Sequence, residues 1–420
     1  MTNLQNWAGN YTYSTTRLHQ PASIDETIAL VKKYDRIKVL GTRHCFNNIA
    51  DSKDHLLSLS RLDKIVELDT ADNTVTVEAG VRYGELATWL NEKGWALHNL
   101  ASLPHISIAG GCITATHGSG VGNGSLSTAV RAIEFITASG ELVVLSKGKD
   151  APFPGAVVNL GGLGVLTKMT LAIEPAYQVR QYVYENLPLQ QLRDHFLAIM
   201  SAGYSVSLFT DWQNERFNEV WIKSRVGEPG EREDRSEFFG ATAAVHDLHP
   251  IRGISAENCT AQMGVPGPWH ERLPHFRMGF TPSSGQELQS EYFVARERSF
   301  EAIQAVGKLR EKISPHLLIS EIRCIAADEL WMSPCYRQAS TAIHFTWQPD
   351  WPAVRQLLPL IEEVLAPFDA RPHWGKLFTV SHRGISALYE KLPDFRQLLR
   401  RYDPAGKFRN DYLDNIIFDA

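Results

Sequence analysis

Ser107-Ile108-Ala109-Gly110-Gly111-Cys112-Ile113-Thr114-Ala115-Thr116-His117-Gly118-Ser119-Gly120 is the stretch on which the fold turns. It packs small residues so densely that backbone N–H groups can approach an anion without obstruction from side chains, and a pyrophosphate is the natural guest. Glycine content alone is met equally well by a loop of tight turns. The stretch contains no G-x-G-x-x-G opening a βαβ unit and no G-x-x-x-x-G-K-[ST], so the two common phosphate loops lose ground.

Working outward, residues 37–40 read as a strand ending at Gly41, and Thr42-Arg43-His44-Cys45-Phe46-Asn47 follows directly. Residues 73–78 alternate in polarity as a strand does. Residues 82–93 place Leu86, Trp89 and Leu90 at helical spacing and stop at Gly94, and 95–98 form another short strand. Downstream, 132–138 and 141–146 are expected to form a hairpin around a two-residue Ser139-Gly140 turn. Asn159-Leu160-Gly161-Gly162-Leu163-Gly164 leads into a strand over 165–173, which Glu174-Pro175 ends. The topology is α+β, with a first domain over 1–175.

The remainder mixes aromatic-rich strands at 204–209 and 219–223 with a helix at 296–312, and irregular segments are expected at 227–237 and 263–274. In Leu317–Ile325 a period of two puts Glu321 and Arg323 on one face. In 342–347 it does the same for His344 and Thr346, with Ile343, Phe345 and Trp347 opposite. Taken alone, such pairs are more often solvated ion pairs than sites; the apolar residues around Glu321 argue for partial burial.

A chain of 420 residues exceeds one ordinary core, so two domains are expected. Lys and Arg number 42 against 47 Asp and Glu, for a formal charge of −5 without long runs of either sign, which disfavours nucleic acid as a partner. Residues 1–10 carry neither a basic nor an apolar leader, and no stretch reaches the length of a membrane span, so no membrane partner and a cytoplasmic location are expected. The cysteines Cys45, Cys112, Cys259, Cys324 and Cys335 are scattered, and the histidines form no H-E-x-x-H pair, so no metal is expected.

The sequence closely resembles the bacterial alditol oxidases of the vanillyl-alcohol oxidase flavoprotein superfamily over nearly its whole length. The resemblance rests on Gly41-Thr42-Arg43-His44-Cys45-Phe46-Asn47, Ala101-Ser102-Leu103-Pro104-His105-Ile106-Ser107 and Thr116-His117-Gly118-Ser119-Gly120-Val121-Gly122-Asn123-Gly124. It continues in Glu321-Ile322-Arg323, His344-Phe345-Thr346-Trp347 and Arg371-Pro372-His373-Trp374-Gly375-Lys376. It implies a two-domain fold: an FAD-binding domain of two α+β subdomains (PCMH type), a substrate domain over 176–400 built on a large antiparallel sheet flanked by helices, and a return to the FAD domain over 401–420.

The resemblance further implies FAD linked covalently through an imidazole nitrogen of His44. Its cradle is expected from Gly41, Thr42, Arg43, Cys45, Phe46, Asn47, Ser102, Ser107, Gly110, Gly111, Cys112, Ile113, His117, Gly118, Gly164, Val165 and His373. Cys45 departs from the serine usual in the family, and a small buried thiol there changes little in volume. Oxidising an unactivated alcohol requires stabilising alkoxide character while hydride leaves carbon, and fixed cations meet that need. By the resemblance, Lys376 and Arg323, with His344, are the expected catalytic residues, and Ser102, Glu321, Arg323, Thr346 and Lys376 are expected to bind the polyol.

The expected reaction is oxidation of the C1 hydroxyl of xylitol, sorbitol or a similar polyol to the aldose, with O2 reoxidising the flavin to give H2O2, in a monomer. The alternatives are an aldonolactone oxidase or dehydrogenase of the same superfamily and, from a different class, a noncatalytic nucleotide-binding protein.

Overall fold

A computed structural model of the chain describes residues 4–228, 236–279 and 287–419. Most of the irregular segment expected at 227–237 lies outside the described residues.

The segment before His44 builds a three-stranded parallel sheet with Leu56–Ser58 between Leu18–His19 and Lys38–Leu40. Helix Ile24–Lys33 covers it, started by Ser23, whose hydroxyl accepts the Glu26 N–H at 3.1 Å. A second module is a five-stranded antiparallel sheet in the order Ile65–Asp69, Thr74–Glu78, Val165–Ala172, Val130–Ile136, Leu142–Ser146. These are the two α+β subdomains. The expected strand at 95–98 shortens to Trp95–Ala96, paired with Glu174–Pro175. The hairpin has a three-residue connection rather than two: Thr137 N–H bonds the Glu141 carbonyl at 2.9 Å, and Gly140 takes φ +84°, the left-handed closing position of that loop type.

From Gln178–Pro188 onward the chain forms a ten-stranded antiparallel sheet centred on Arg216–Arg225, Ser205–Thr210, Leu317–Ile325, Ser340–Trp347 and Leu288–Ala295. One face is apolar because every second residue is: Val220, Ile222, Ile322, Ile343, Phe345 and Trp347 pack beneath helices Gln191–Met200, Ser299–Gly307 and Trp351–Leu365. The helix expected over 296–312 is broken into Ser299–Gly307 and Arg310–Ile313 after a 3₁₀ turn at Arg296–Arg298. The opposite face carries the polar residues and looks toward the flavin-type modules. Ile385, Phe395, Leu399, Leu413 and Ile417 pack into the first core, so contact with it begins ahead of residue 401. Trp269 and Leu273, from the segment expected to be irregular, are buried there too.

Candidate active site

A cavity of about 950 Å³ runs from the small-residue wall of the first modules to the polar face of the large sheet. Its near wall includes Gly41, Thr42, Arg43, His44, Cys45, Phe46, Ser107, Gly110, Gly111, Ile113 and Gly164, and its far wall includes Glu321, Arg323, His344, Thr346, His373 and Lys376, with Ser102 and His117 between.

Four expected cofactor residues do not line the cavity. Asn47 instead donates through Nδ2 to the carbonyls of Trp374 and Lys376, both at 2.8 Å. Cys112 is buried against the Tyr83 hydroxyl at 3.2 Å. Gly118 is required by packing, since a Cβ there would sit 2.4 Å from the Leu100 carbonyl oxygen. Val165 is a core residue paired with Ile136. Motif blocks contain both lining residues and those that hold the block in place, and spacing does not separate them.

His44 follows Arg43, whose φ of 64° turns the chain out of the strand. Its ring stacks on Trp7 at 5.4 Å between centroids. Burial pulls its pKa down to about 4, so the imidazole is neutral and nucleophilic at one nitrogen. Nδ1 is buried and has no hydrogen-bond partner among the described residues. Such an orphan lacks compensation for its desolvation, and beside a glycine-lined cleft it fits a site built for a flavin. Burial pushes the Cys45 thiol up to about 12, which disfavours its thiolate.

The polar face assembles across three strands. Register pairs Glu321 with His344 and His344 with Glu291, so the histidine stands between two carboxylates. Glu291, only 1% exposed, accepts from Arg323 Nη2 at 2.7 Å on Oε1 and from Lys376 Nζ at 2.7 Å on Oε2. Burial disfavours its charge, but Lys376, His117 and Arg323 outweigh that and hold its carboxyl well below the usual range. Lys376 also reaches His344 Nδ1 at 2.8 Å, and His344 Nε2 meets Thr346 Oγ1 at 2.9 Å. Burial and the Lys376 charge keep His344 neutral, with its pKa well below the usual value. The proton therefore sits on Nε2 and is donated to Thr346, leaving the Thr346 hydroxyl hydrogen free to point elsewhere. Arg323 approaches Ser102 Oγ at 3.4 Å through Nη1, and its buried Nε lacks a hydrogen-bond partner.

Glu291 of this site, and His275 standing behind Glu321, are not legible in the sequence as site-forming residues. Glu291 had a signal in the alternation of Gln289 and Glu291 with Leu288, Ser290 and Tyr292. His275, which meets Glu321 Oε1 at 2.8 Å, had none, because it comes from an irregular segment. His117, Glu291 and His373 bring ligand atoms within 4.8 Å of one another. Both Glu291 oxygens are already engaged by cations, whose charges oppose a metal ion there.

A family model described as an FAD binding domain matches residues 16–146, and one for D-arabinono-1,4-lactone oxidase matches residues 283–416. The fold is shared with cholesterol oxidase from B. sterolicum at a TM-score of 0.79 and 15% identity, covering 99% of this chain and 96% of that one. Fold and cleft together define an FAD-dependent oxidoreductase of the vanillyl-alcohol oxidase type.

The sequence is 46% identical over 419 residues to the alditol oxidase of Streptomyces sp. (strain IKD472 / FERM P-14339), covering 99% of both chains. It is 24% identical over 441 residues to L-gulonolactone oxidase of Bos taurus, covering 99% of this chain and 98% of that protein. Within its class, the chain belongs to the alditol oxidase family.

Proposed function

We propose that the protein is an alditol oxidase: it oxidises the C1 hydroxyl of a polyol such as xylitol or sorbitol to the aldose, with O2 as the final acceptor and H2O2 as the second product. The observation that carries this is the row Glu321, Arg323, His344 and Thr346 on one buried sheet face, met by Lys376 from the turn after Arg371–Pro372, all lining the flavin cleft. A polyol offers only hydroxyls, and this face supplies paired donors and acceptors for them.

FAD, when bound, supplies the hydride acceptor; His44, through its unpartnered Nδ1, is the proposed point of covalent attachment. The protein's own residues manage the proton. Lys376 uses two N–H bonds on Glu291 and His344, leaving the third for the substrate oxygen. Burial lowers the pKa of Lys376, which makes its neutral amine accessible to take the hydroxyl proton while Glu291 and His344 Nδ1 hold it in place. Arg323 and the Thr346 hydroxyl stabilise the developing alkoxide.

The match of residues 283–416 to the lactone oxidase model supports an aldonolactone as the second reading. A substrate panel decides between them: peroxide release with xylitol or sorbitol is expected, and preference for gulono- or galactonolactone sinks the polyol reading. Acid precipitation is expected to give a yellow pellet; a yellow supernatant rules out the covalent link. We propose a monomer, which light scattering checks. No described helix is long and apolar enough to cross a membrane, which is compatible with the cytoplasmic location we propose; fractionation of cells checks it.

A further inference from the structure

His275 and Lys223 are buried titratable groups that the reaction above does not use. Lys223 Nζ donates to the carbonyls of Arg272 at 2.7 Å, Leu273 at 2.7 Å and Pro274 at 2.8 Å. An ammonium has three protons, so these contacts consume them all. The next residue, His275, turns its Nδ1 toward Lys223 Nζ at 3.4 Å. Its backbone carbonyl is fixed by the Thr260 N–H at 2.9 Å, and its ring is boxed edge-on by Trp221 at 5.1 Å and Phe209 at 5.6 Å.

With its Nζ protons committed to three carbonyls, Lys223 offers Nδ1 no acceptor, so the proton resides on Nε2 and is donated to Glu321 Oε1 at 2.8 Å. Burial opposes the charge of Glu321, but Arg323 and His275 outweigh it and hold the carboxyl well below its usual range. Among the described residues, Glu321 Oε2 has only the 3.5 Å approach of Arg323 Nε.

We infer that Lys223 and His275 are positioning residues that hold Glu321 as a fixed hydrogen-bond acceptor for a substrate hydroxyl remote from the reacting carbon. This rests on the polyol reading. Glu321 lies across His344 from Glu291 and Lys376, one strand further along the cleft, on the side of Phe209. It therefore contacts the body of the polyol rather than the end that loses hydride. An ionised carboxylate accepts only, so an analogue lacking that hydroxyl leaves it unpaired.

The test compares xylitol with 1,2-pentanediol, which keeps the first two hydroxyls and lacks the rest, using steady-state kinetics of the FAD-loaded protein. His275→Leu is expected to raise KM for xylitol about tenfold, the scale of a hydrogen bond to a charged group, with kcat and the KM for the diol nearly unchanged. His275→Gln, which keeps an N–H at similar reach, is expected to restore most of the loss. If His275→Leu does not retain flavin, His275→Asn reads the same quantity, since its shorter amide falls short of Glu321. Equal KM rises for both substrates, no rise for either, or a fall in kcat alone overturns the inference. Failure of the unaltered protein to release peroxide with xylitol instead removes the polyol reading on which it rests.

Discussion

Lys376 makes hydrogen bonds to both an anion and a neutral histidine, and its pKa is lowered by burial against the opposing pull of Glu291. Lys376→Met is expected to leave the protein yellow and slow anaerobic flavin reduction by polyol roughly 10²-fold or more; an unchanged rate refutes its role. Glu291→Gln removes the anion that balances Lys376 and one of the two that balance Arg323, which keeps only the 3.5 Å contact to Glu321. Breaking such a cluster costs about 3–5 kcal/mol, so a lower melting temperature and a drop in kcat/KM are expected together. His44→Ala is expected to make the flavin extractable by acid while the cavity still binds it, checked by absorbance of the supernatant.

At the scale of elements, the alternating strands could be read because burial of one face imposes a period of two on the sequence. Glu321 with Arg323 and His344 with Thr346 fell on shared faces for that reason. What stayed hidden depends on partners far away in the chain. Glu291 becomes a hub only when Arg323, Lys376 and His117 arrive from three other segments, and His275 is aimed by Lys223 from a strand some fifty residues earlier. Within the motif blocks, Asn47 and Gly118 are indistinguishable by pattern from true lining residues until their carbonyl neighbours are seen. Among the ties of the C-terminal segment is one amide: the two protons of Asn410 Nδ2 are shared among Asn48 O at 3.1 Å, Ile49 O at 3.1 Å and Asp51 O at 2.9 Å. Asn410→Ala leaves these carbonyls short of a donor and is expected to destabilise by about 1–3 kcal/mol, measured by denaturant unfolding.

For the molecule as a whole, Glu219 sets a pH dependence of stability. Burial raises it to about 7, against the Trp221 N–H bond that favours its charge. A carboxyl whose folded pKa lies above its unfolded value contributes stability that is full below the unfolded pKa and is lost as pH climbs through the folded one. Glu219→Gln keeps the neutral shape. It is therefore expected to melt like the parent near pH 4.5 and progressively higher than the parent as pH rises to about 7, with the gap constant above that. A gap that is already full at pH 4.5 refutes the assignment.

The clasp between Asn47 and the carbonyls of Trp374 and Lys376 bears on how the enzyme comes into being. A nascent chain that has emerged with His44 still lacks its oxidising centre until more than three hundred further residues are made, and Asn410 then closes the same neighbourhood from the other end. The catalytic pocket is consequently completed only after nearly the whole chain has been made.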